Sequence, residues 1–168
     1  MRNLEAKFRI DDAALARARA EAIGFSLRAT LVQRDTFFAV AHGKLKLREE
    51  ADSAALIHYR RSREGVLEVS DYEIVPVPDA EPMRAMFSSA LGVIAEIRKV
   101  RTLLMRRNVR LHLDRLEGLG SFGEIEAVIA AGETPEDCRS DLDEILATLE
   151  ITPGDLISKS YFELVSGG

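Results

Sequence analysis

Polar and apolar positions alternate along the first strand-like segment of the chain. In Asn3-Leu4-Glu5-Ala6-Lys7-Phe8, one side carries Asn3, Glu5 and Lys7 and the other carries Leu4, Ala6 and Phe8, because successive strand side chains point to opposite faces. At least five later segments repeat the arrangement. Lys44, Lys46 and Arg48 alternate with Leu45 and Leu47; His58 and Arg60 share a parity; Asp71 and Glu73 oppose Tyr72 and Ile74; Lys99 and Arg101 flank Val100. Arg110, His112 and Asp114 alternate with Val109, Leu111 and Leu113, and Phe122, Glu124 and Glu126 with Ile125, Ala127 and Ile129. Strands are therefore expected near residues 2–10, 27–41, 43–49, 54–61, 66–77, 96–106, 109–116 and 121–130, with turns at Gly43, Gly65, Asn108 and Gly118-Leu119-Gly120.

The period turns helical in three places. Residues 11–24 place Ala14, Leu15, Ala18, Ala22 and Ile23 on one stripe, with Asp11 or Asp12 as cap and Gly24 as stop. Residues from about Pro82 to Leu91 form a second helix, capped by Asp79 and stopped by Gly92. The third opens on Thr134 as cap, Pro135 at the first helical position and Glu136 and Asp137 at the positive end, then carries Leu142, Ile145, Leu146 and Leu149 on one side.

Two architectures satisfy this pattern. One is an antiparallel sheet with its charged side in water. The other is a closed or nearly closed barrel with a polar interior and helices over its apolar outside. In the barrel, the inner faces would carry the bases Lys7, Lys44, Lys46, Arg48, Arg60, Lys99, Arg101 and Arg110 and the acids Glu5, Glu73, Asp114, Glu124 and Glu126. That is a local excess of base in a chain whose net charge is −5. Concentrated base points to an anion site, and grouped carboxylates point to hard divalent cations.

Composition narrows the classes. A chain of 168 residues, 46% hydrophobic and 30% charged, suits one globular domain over residues 1–168. Its pI of about 5.3 argues against a nucleic-acid binder. A lone cysteine, Cys138, excludes an internal disulfide and a thiolate metal cluster. No run is long enough for a membrane span and no secretory leader is visible, so a cytoplasmic protein is expected. Nothing in the sequence speaks to oligomeric state.

The order of the charged segments resembles a known family. Asn3-Leu4-Glu5-Ala6-Lys7 is similar to the Glu-x-Glu-x-Lys signature of the CYTH superfamily, the triphosphate tunnel metalloenzymes. Gln33-Arg34-Asp35-Thr36-Phe37-Phe38, Lys44-Leu45-Lys46-Leu47-Arg48, His58-Tyr59-Arg60, Asp71-Tyr72-Glu73 and Arg98-Lys99-Val100-Arg101 follow in the family's order. The segment from Leu113 to Glu126 is close to its Asp-x-x-x-x-Leu-Gly-x-Phe-x-Glu-x-Glu pattern. The resemblance covers nearly the whole chain and is greatest to class IV adenylyl cyclase-like proteins.

That resemblance implies an α+β fold: an eight-stranded antiparallel barrel forming a tunnel for a triphosphate and a divalent metal, Mg2+ or Mn2+. Lys7, Lys46, Arg48, Arg60, Lys99 and Arg101 would contact phosphate, with Lys44 and Arg110 beside them. Glu5, Glu124 and Glu126 would hold metal, with Glu73 and Asp114 contributing or orienting water, so Glu5, Lys7, Glu124 and Glu126 are the implied catalytic residues. The implied reaction is ATP to cyclic AMP and pyrophosphate. Hydrolysis of tripolyphosphate or of an organic triphosphate such as thiamine triphosphate is the alternative, and a non-catalytic nucleotide or polyphosphate sensor a third. The departure is Asn3, an uncharged amide where the signature has its first glutamate.

Three further positions have double readings. His112, between Arg110 and Asp114, either shuttles a proton or hydrogen-bonds a carboxylate. Cys138 is read as a packing residue. The segment around Lys159 and Tyr161 either covers a tunnel mouth, as the resemblance implies, or docks Tyr161, Leu164 and Val165 on the body.

Overall fold

Eight alternating strands that each have one charged and one apolar face can bury both faces only by closing on themselves. A computed structural model describes residues 2–64 and 67–165. The turn expected at Gly65 and the strand start expected at Val66 lie outside the described residues. The strands are β1 (Arg2–Arg9), β2 (Ser26–Phe38), β3 (Lys44–Glu49), β4 (Ala54–Glu64), β5 (Leu67–Pro76), β6 (Val93–Arg106), β7 (Val109–Leu116) and β8 (Gly120–Val128). They form a closed antiparallel barrel in the order β1-β5-β4-β3-β2-β6-β7-β8. Closure pairs β1 with both β5 and β8, so the first strand locks the last.

Helices α1 (Ala13–Ala22), α2 (Ala80–Leu91), α3 (Pro135–Thr148) and the short α4 (Tyr161–Val165) complete the chain. Asp12 starts α1, its Oδ1 accepting the N–H groups of Ala14 and Leu15 at 2.9 Å each. Thr134 and Asp137 form a capping box at α3, with Pro135 inside the first turn. α3 buries Cys138, Leu142, Ile145 and Leu146 in one core with α1 and the outer faces of β1, β7 and β8, including Leu4, Phe8, Leu111 and Ile125. Each such Leu or Ile contributes about 1.5–3 kcal/mol by leaving water. α2 covers the opposite flank, where Met83 and Phe87 pack on Phe38, Leu47 and Val77. Among the described residues, no helix is long and apolar enough to cross a membrane.

Element ends shift by a few residues from expectation. β2 stops at Phe38 because the next amide, Ala39 N–H, donates to Gly92 O beyond the ladder. β6 starts at Val93, opposite Phe38, after a register irregularity. Gly118 and Gly120 both take positive φ, +76° and +97°, which turns β7 into β8 without Cβ strain.

Gly123 is fixed by a neighbour. It lies opposite Phe8 across the β1–β8 ladder, and the Phe8 ring occupies the space a Cβ would take. Gly123→Ala should therefore displace a fully buried ring and cost about 1–3 kcal/mol. Thermal melts would check this, and an unchanged Tm would refute the packing argument.

Candidate functional site

Register decides which charges meet. On β1, Asn3, Glu5 and Lys7 point inward. Their direct partners on β8 are Val128 for Asn3, Glu126 for Glu5 and Glu124 for Lys7. On the other side of β8, Glu126 lies opposite Arg110 and Glu124 opposite His112. Lys7 Nζ is 2.8 Å from Glu124 Oε1, and Arg101 Nη2 reaches Glu124 Oε2 at 3.1 Å. One wall of the barrel, built by β1, β7 and β8, thus holds Glu5, Glu124, Glu126 and His112. The facing wall, built by β2, β3 and β6, holds Lys46, Arg48, Lys99 and Arg101.

A buried acid organises the basic wall. Asp35 is 2% exposed; it accepts from Arg48 at 2.8 and 2.7 Å and from Lys46 at 3.0 Å, and Lys99 stands 3.7 Å away. Asp114 does the same for Arg101, which donates to both its oxygens at 2.7 and 2.6 Å. Between the walls lies a cavity of about 310 Å3. Seven Lys or Arg side chains and five carboxylates line it among the described residues.

The interior is not polar throughout. Phe37, Ile57, Tyr59, Ile97 and Phe122 form an apolar cluster, and Tyr161 from α4 joins it. The Tyr161 ring lies 4.7 Å from Lys7 Nζ and 5.2 Å from Lys99 Nζ and packs edge-on to Phe122 at 5.5 Å. Ser160, Tyr161 and Phe162 all contribute to the cavity wall. The tail docks by inserting the Tyr161 ring into the barrel with Leu164 packed beside it, while Val165, also expected to dock, stays exposed.

Several expected inner residues stand elsewhere. Arg60 and Glu73 are exposed on the outer face. The β3–β4 register sets Ile57 against Lys46 and Tyr59 against Lys44, so Ile57, Tyr59 and Arg61 turn inward and Arg60 turns out. Tyr59 faces Tyr72 across β4–β5, which sends Glu73 outward by the same parity. Arg61 takes the inner position, 2.8 Å from Glu5 and 3.3 Å from Glu68. Asp114 is inward but sits behind Arg101 and is not among the cavity-lining residues. Lys44 lies at the rim, its Nζ 3.7 Å from the Phe162 ring centroid. Lys7, Lys46, Arg48, Lys99, Arg101, Arg110, Glu5, Glu124 and Glu126 all line the cavity.

Crowding in little water shifts the titrations. Burial raises Glu5 to about 7, against the pull of Arg61, with Glu124 adding to the rise. Burial and then Arg48 lower Lys46 to about 7, and burial and then Arg101 lower Lys99 to about 8. Burial alone would raise Asp35 and Glu124. Arg48 and Lys46 overcome it at Asp35, and Lys7 and Arg101 at Glu124, so both stay well below the usual carboxylate range. Burial, then Arg101, lowers His112, leaving its imidazole neutral near pH 7.

His112, Glu124 and Glu126 form a group within reach of one cation: each offers a ligand atom, and these atoms lie within 4.8 Å of one another. His112 Nδ1 is buried and has no hydrogen-bond partner among the described residues. A divalent cation fits here, because it would answer an orphaned lone pair and relieve crowded carboxylates together. Asn3 does not fill the missing glutamate's role directly. Its Nδ2 donates to Glu126 Oε2 at 3.3 Å, and its Oδ1 accepts from Tyr72 OH at 3.4 Å.

Known proteins are similar to this chain in sequence and in fold. A candidate adenylate cyclase of Methanocaldococcus jannaschii is 29% identical over 174 residues, spanning 98% of each chain. The solved structure of a Pyrococcus horikoshii protein superposes with a TM-score of 0.87 at 22% identity, over 96% of this chain and 98% of that one. A candidate adenylyl cyclase from Hippeastrum, described as having a dominant triphosphatase activity, superposes at 0.69 with 18% identity, over 98% and 96% of the two chains. These last two likenesses establish the fold. The family model of the CYTH domain matches residues 1–161, and the chain belongs to the CYTH domain family.

Proposed function

We propose that this chain is a metal-dependent enzyme that binds a triphosphate inside the barrel and converts ATP into cyclic AMP and pyrophosphate. The observation that carries the reading is the pair of opposed walls, cationic on β2, β3 and β6 and carboxylate-rich on β1, β7 and β8, facing one cavity inside the barrel. A chain of phosphates laid between them meets Lys46, Arg48, Lys99 and Arg101 on one side. Arg61 and Arg110 add charge from β4 and β7. Asp35 and Asp114 hold three of the arginine and lysine heads in place before substrate arrives, so little ordering remains for binding to supply.

Glu5, Glu124 and Glu126 are the carboxylates proposed to hold Mg2+ or Mn2+. When bound, the ion screens these carboxylates from the phosphates and offsets charge developing on them. In the cyclisation, the ribose hydroxyl oxygen bonds to the α-phosphorus as the α–β anhydride bond breaks, and the hydroxyl proton is released to solvent. The departing pyrophosphate takes the electron pair, and the cationic wall is where that charge is met. Tyr72, Ile74 and Leu31 also line the cavity. This apolar surface suits an organic group, which bare tripolyphosphate lacks. Hydrolysis remains the second reading, supported by the activity ascribed to the Hippeastrum protein of the same fold.

Incubation with ATP and, separately, with tripolyphosphate, each with Mg2+ or Mn2+, distinguishes the readings. Cyclic AMP with pyrophosphate is the expected outcome. Orthophosphate alone would favour hydrolysis, and saturable binding without product would make the chain a sensor. Glu126→Gln preserves shape and should lower turnover by about 10- to 100-fold with little change in melting temperature. Full activity in that variant would remove Glu126 from the site.

Parity supplies a sharper comparison. Arg61→Ala should weaken triphosphate binding by about 10- to 100-fold, as loss of a charge-assisted contact does. Arg60→Ala, on the outer face, should leave affinity unchanged. The reverse order would contradict the β4 register.

Binding should also consume protons. In the free protein Lys46 and Lys99 lose theirs at about 7 and 8, whereas a bound polyanion favours the charged forms and raises both values. Between the free and bound values the complex holds more protons, so affinity falls as pH rises, by up to about tenfold per pH unit per lysine. Calorimetry of metal-free tripolyphosphate binding at pH 8, in two buffers of different ionisation enthalpy, should show net proton uptake. Identical heats would rule the linkage out.

A further inference from the structure

The acid wall contains one donor of a different chemical kind. His112 is 4% exposed, and its Nδ1 stands 3.7 Å from Glu126 Oε1 and 3.8 Å from Glu124 Oε2. Both separations exceed hydrogen-bond length. They approach the spacing of about 3–3.5 Å between neighbouring donors that share a first-row metal ion, given metal–ligand bonds near 2.1 Å. The surrounding contacts leave this corner open. Lys7 engages Glu124 from the other oxygen, while Asn3 and Arg110 approach Glu126 through Oε2, at 3.3 and 3.5 Å. Glu126 Oε1 is thereby turned toward the imidazole.

The register makes the arrangement stiff. His112 lies directly opposite Glu124 on β8, and Glu126 is the next inward residue of that strand. The three donors therefore come from adjacent positions of one ladder, and a side chain on a barrel strand has little room to withdraw. Arg101 also touches Glu124 Oε2, which is compatible with ligation, since a carboxylate oxygen has two lone pairs.

We infer that His112 is a nitrogen ligand of the metal centre, and that the His112, Glu124 and Glu126 set selects a first-row transition ion such as Mn2+ over Mg2+. The inference rests on the metal site proposed above and adds the ligand and the selectivity. Mg2+ favours all-oxygen surroundings, demands near-ideal geometry and dehydrates reluctantly, whereas first-row transition ions accept an imidazole nitrogen more readily, Mn2+ being the most oxygen-tolerant of them. Asn3 explains why the nitrogen matters here: the signature's first carboxylate is absent, and a neutral imidazole supplies a donor without restoring the charge that Mg2+ prefers.

Mn2+ alone and Mg2+ alone are the probes, titrated into the full chain freed of metal. Competition followed by the electron paramagnetic resonance signal of free Mn2+ should show Mn2+ binding at least about tenfold tighter than Mg2+. Pulsed resonance on the Mn2+-loaded protein should show an imidazole 14N coupling that becomes a 15N coupling when histidine is 15N-labelled. In His112→Gln the nitrogen coupling should vanish and the Mn2+ preference fall at least about tenfold, with Mg2+ affinity nearly constant. Mn2+ binding without histidine coupling in the wild-type chain would overturn the inference while sparing the metal site. Failure of both ions to bind would overturn the metal site as well. If His112→Gln does not fold, the labelled spectrum of the His42→Gln, His58→Gln double variant, in which His112 is the one remaining histidine, decides the matter.

Discussion

Charges can be gathered in a poorly hydrated interior only if each one faces an opposite charge or a ligand. An isolated buried carboxylate or ammonium is costly, and truncating one member of a buried pair leaves the other exposed to that cost. In this barrel the strand register meets the demand. Lys7 finds Glu124, Arg101 finds Asp114, and Arg48 finds Asp35 because each pair is opposite or near-opposite on adjoining strands. The compensation is incomplete by design of the ladder. Glu5, Lys46 and Lys99 keep strongly shifted titrations, so the interior retains an unmet demand for anions on one wall and for cations on the other.

The outer surface solves the converse problem. Leu4, Phe8, Leu111 and Ile125 would be a wet apolar stripe without α1 and α3, and Phe38 and Leu47 without α2. Helix placement therefore follows from strand alternation. The short tail does something different: it carries Tyr161 inside, where the ring meets Phe122 and stands near two lysines. A cation over a ring face is attracted by the ring's quadrupole, which makes an aromatic plug compatible with a basic cavity.

Much of this was legible in the alternating segments. Asn3 to Lys7, Lys46 to Arg48, Lys99 to Arg101 and Glu124 to Glu126 all point inward as their parity indicates, and the caps at Asp12 and Thr134 are where the helical pattern places them. On α1 the expected stripe of Ala14, Leu15, Ala18 and Ala22 is exposed, and the helix buries Ala16 and Ala20 instead. The misplacements of Arg60 and Glu73 share a different cause. Treating every charged parity as inner put Arg60 and Glu73 inside, but the barrel is aromatic where the tail enters, so Tyr59 and Tyr72 take those faces. The tandem Arg60-Arg61 is ambiguous until the partner strand fixes the register. Asp35 was overlooked although it shares the parity of Gln33 and Phe37 across β2; only the arrival of Lys46 and Arg48 from β3 reveals its part. The relation of His112 to both glutamates likewise depends on a ladder between two strands, which a single-strand pattern does not contain.

Closure through β1 bears on the order in which the molecule can be made. β1 is paired with β5 and with β8, so the earliest strand of the barrel waits for residues about 120 positions later before its second edge is satisfied. Until then Lys7 lacks Glu124, the partner that makes its burial tolerable, and Leu4, Ala6 and Phe8 lack part of their cover. Such long-range pairing slows assembly and leaves an unpaired edge in the nascent chain. The same strand that begins the acid wall is thus the last to be enclosed, and truncated chains ending before Gly120 are left with a gap in the barrel rather than a smaller version of it.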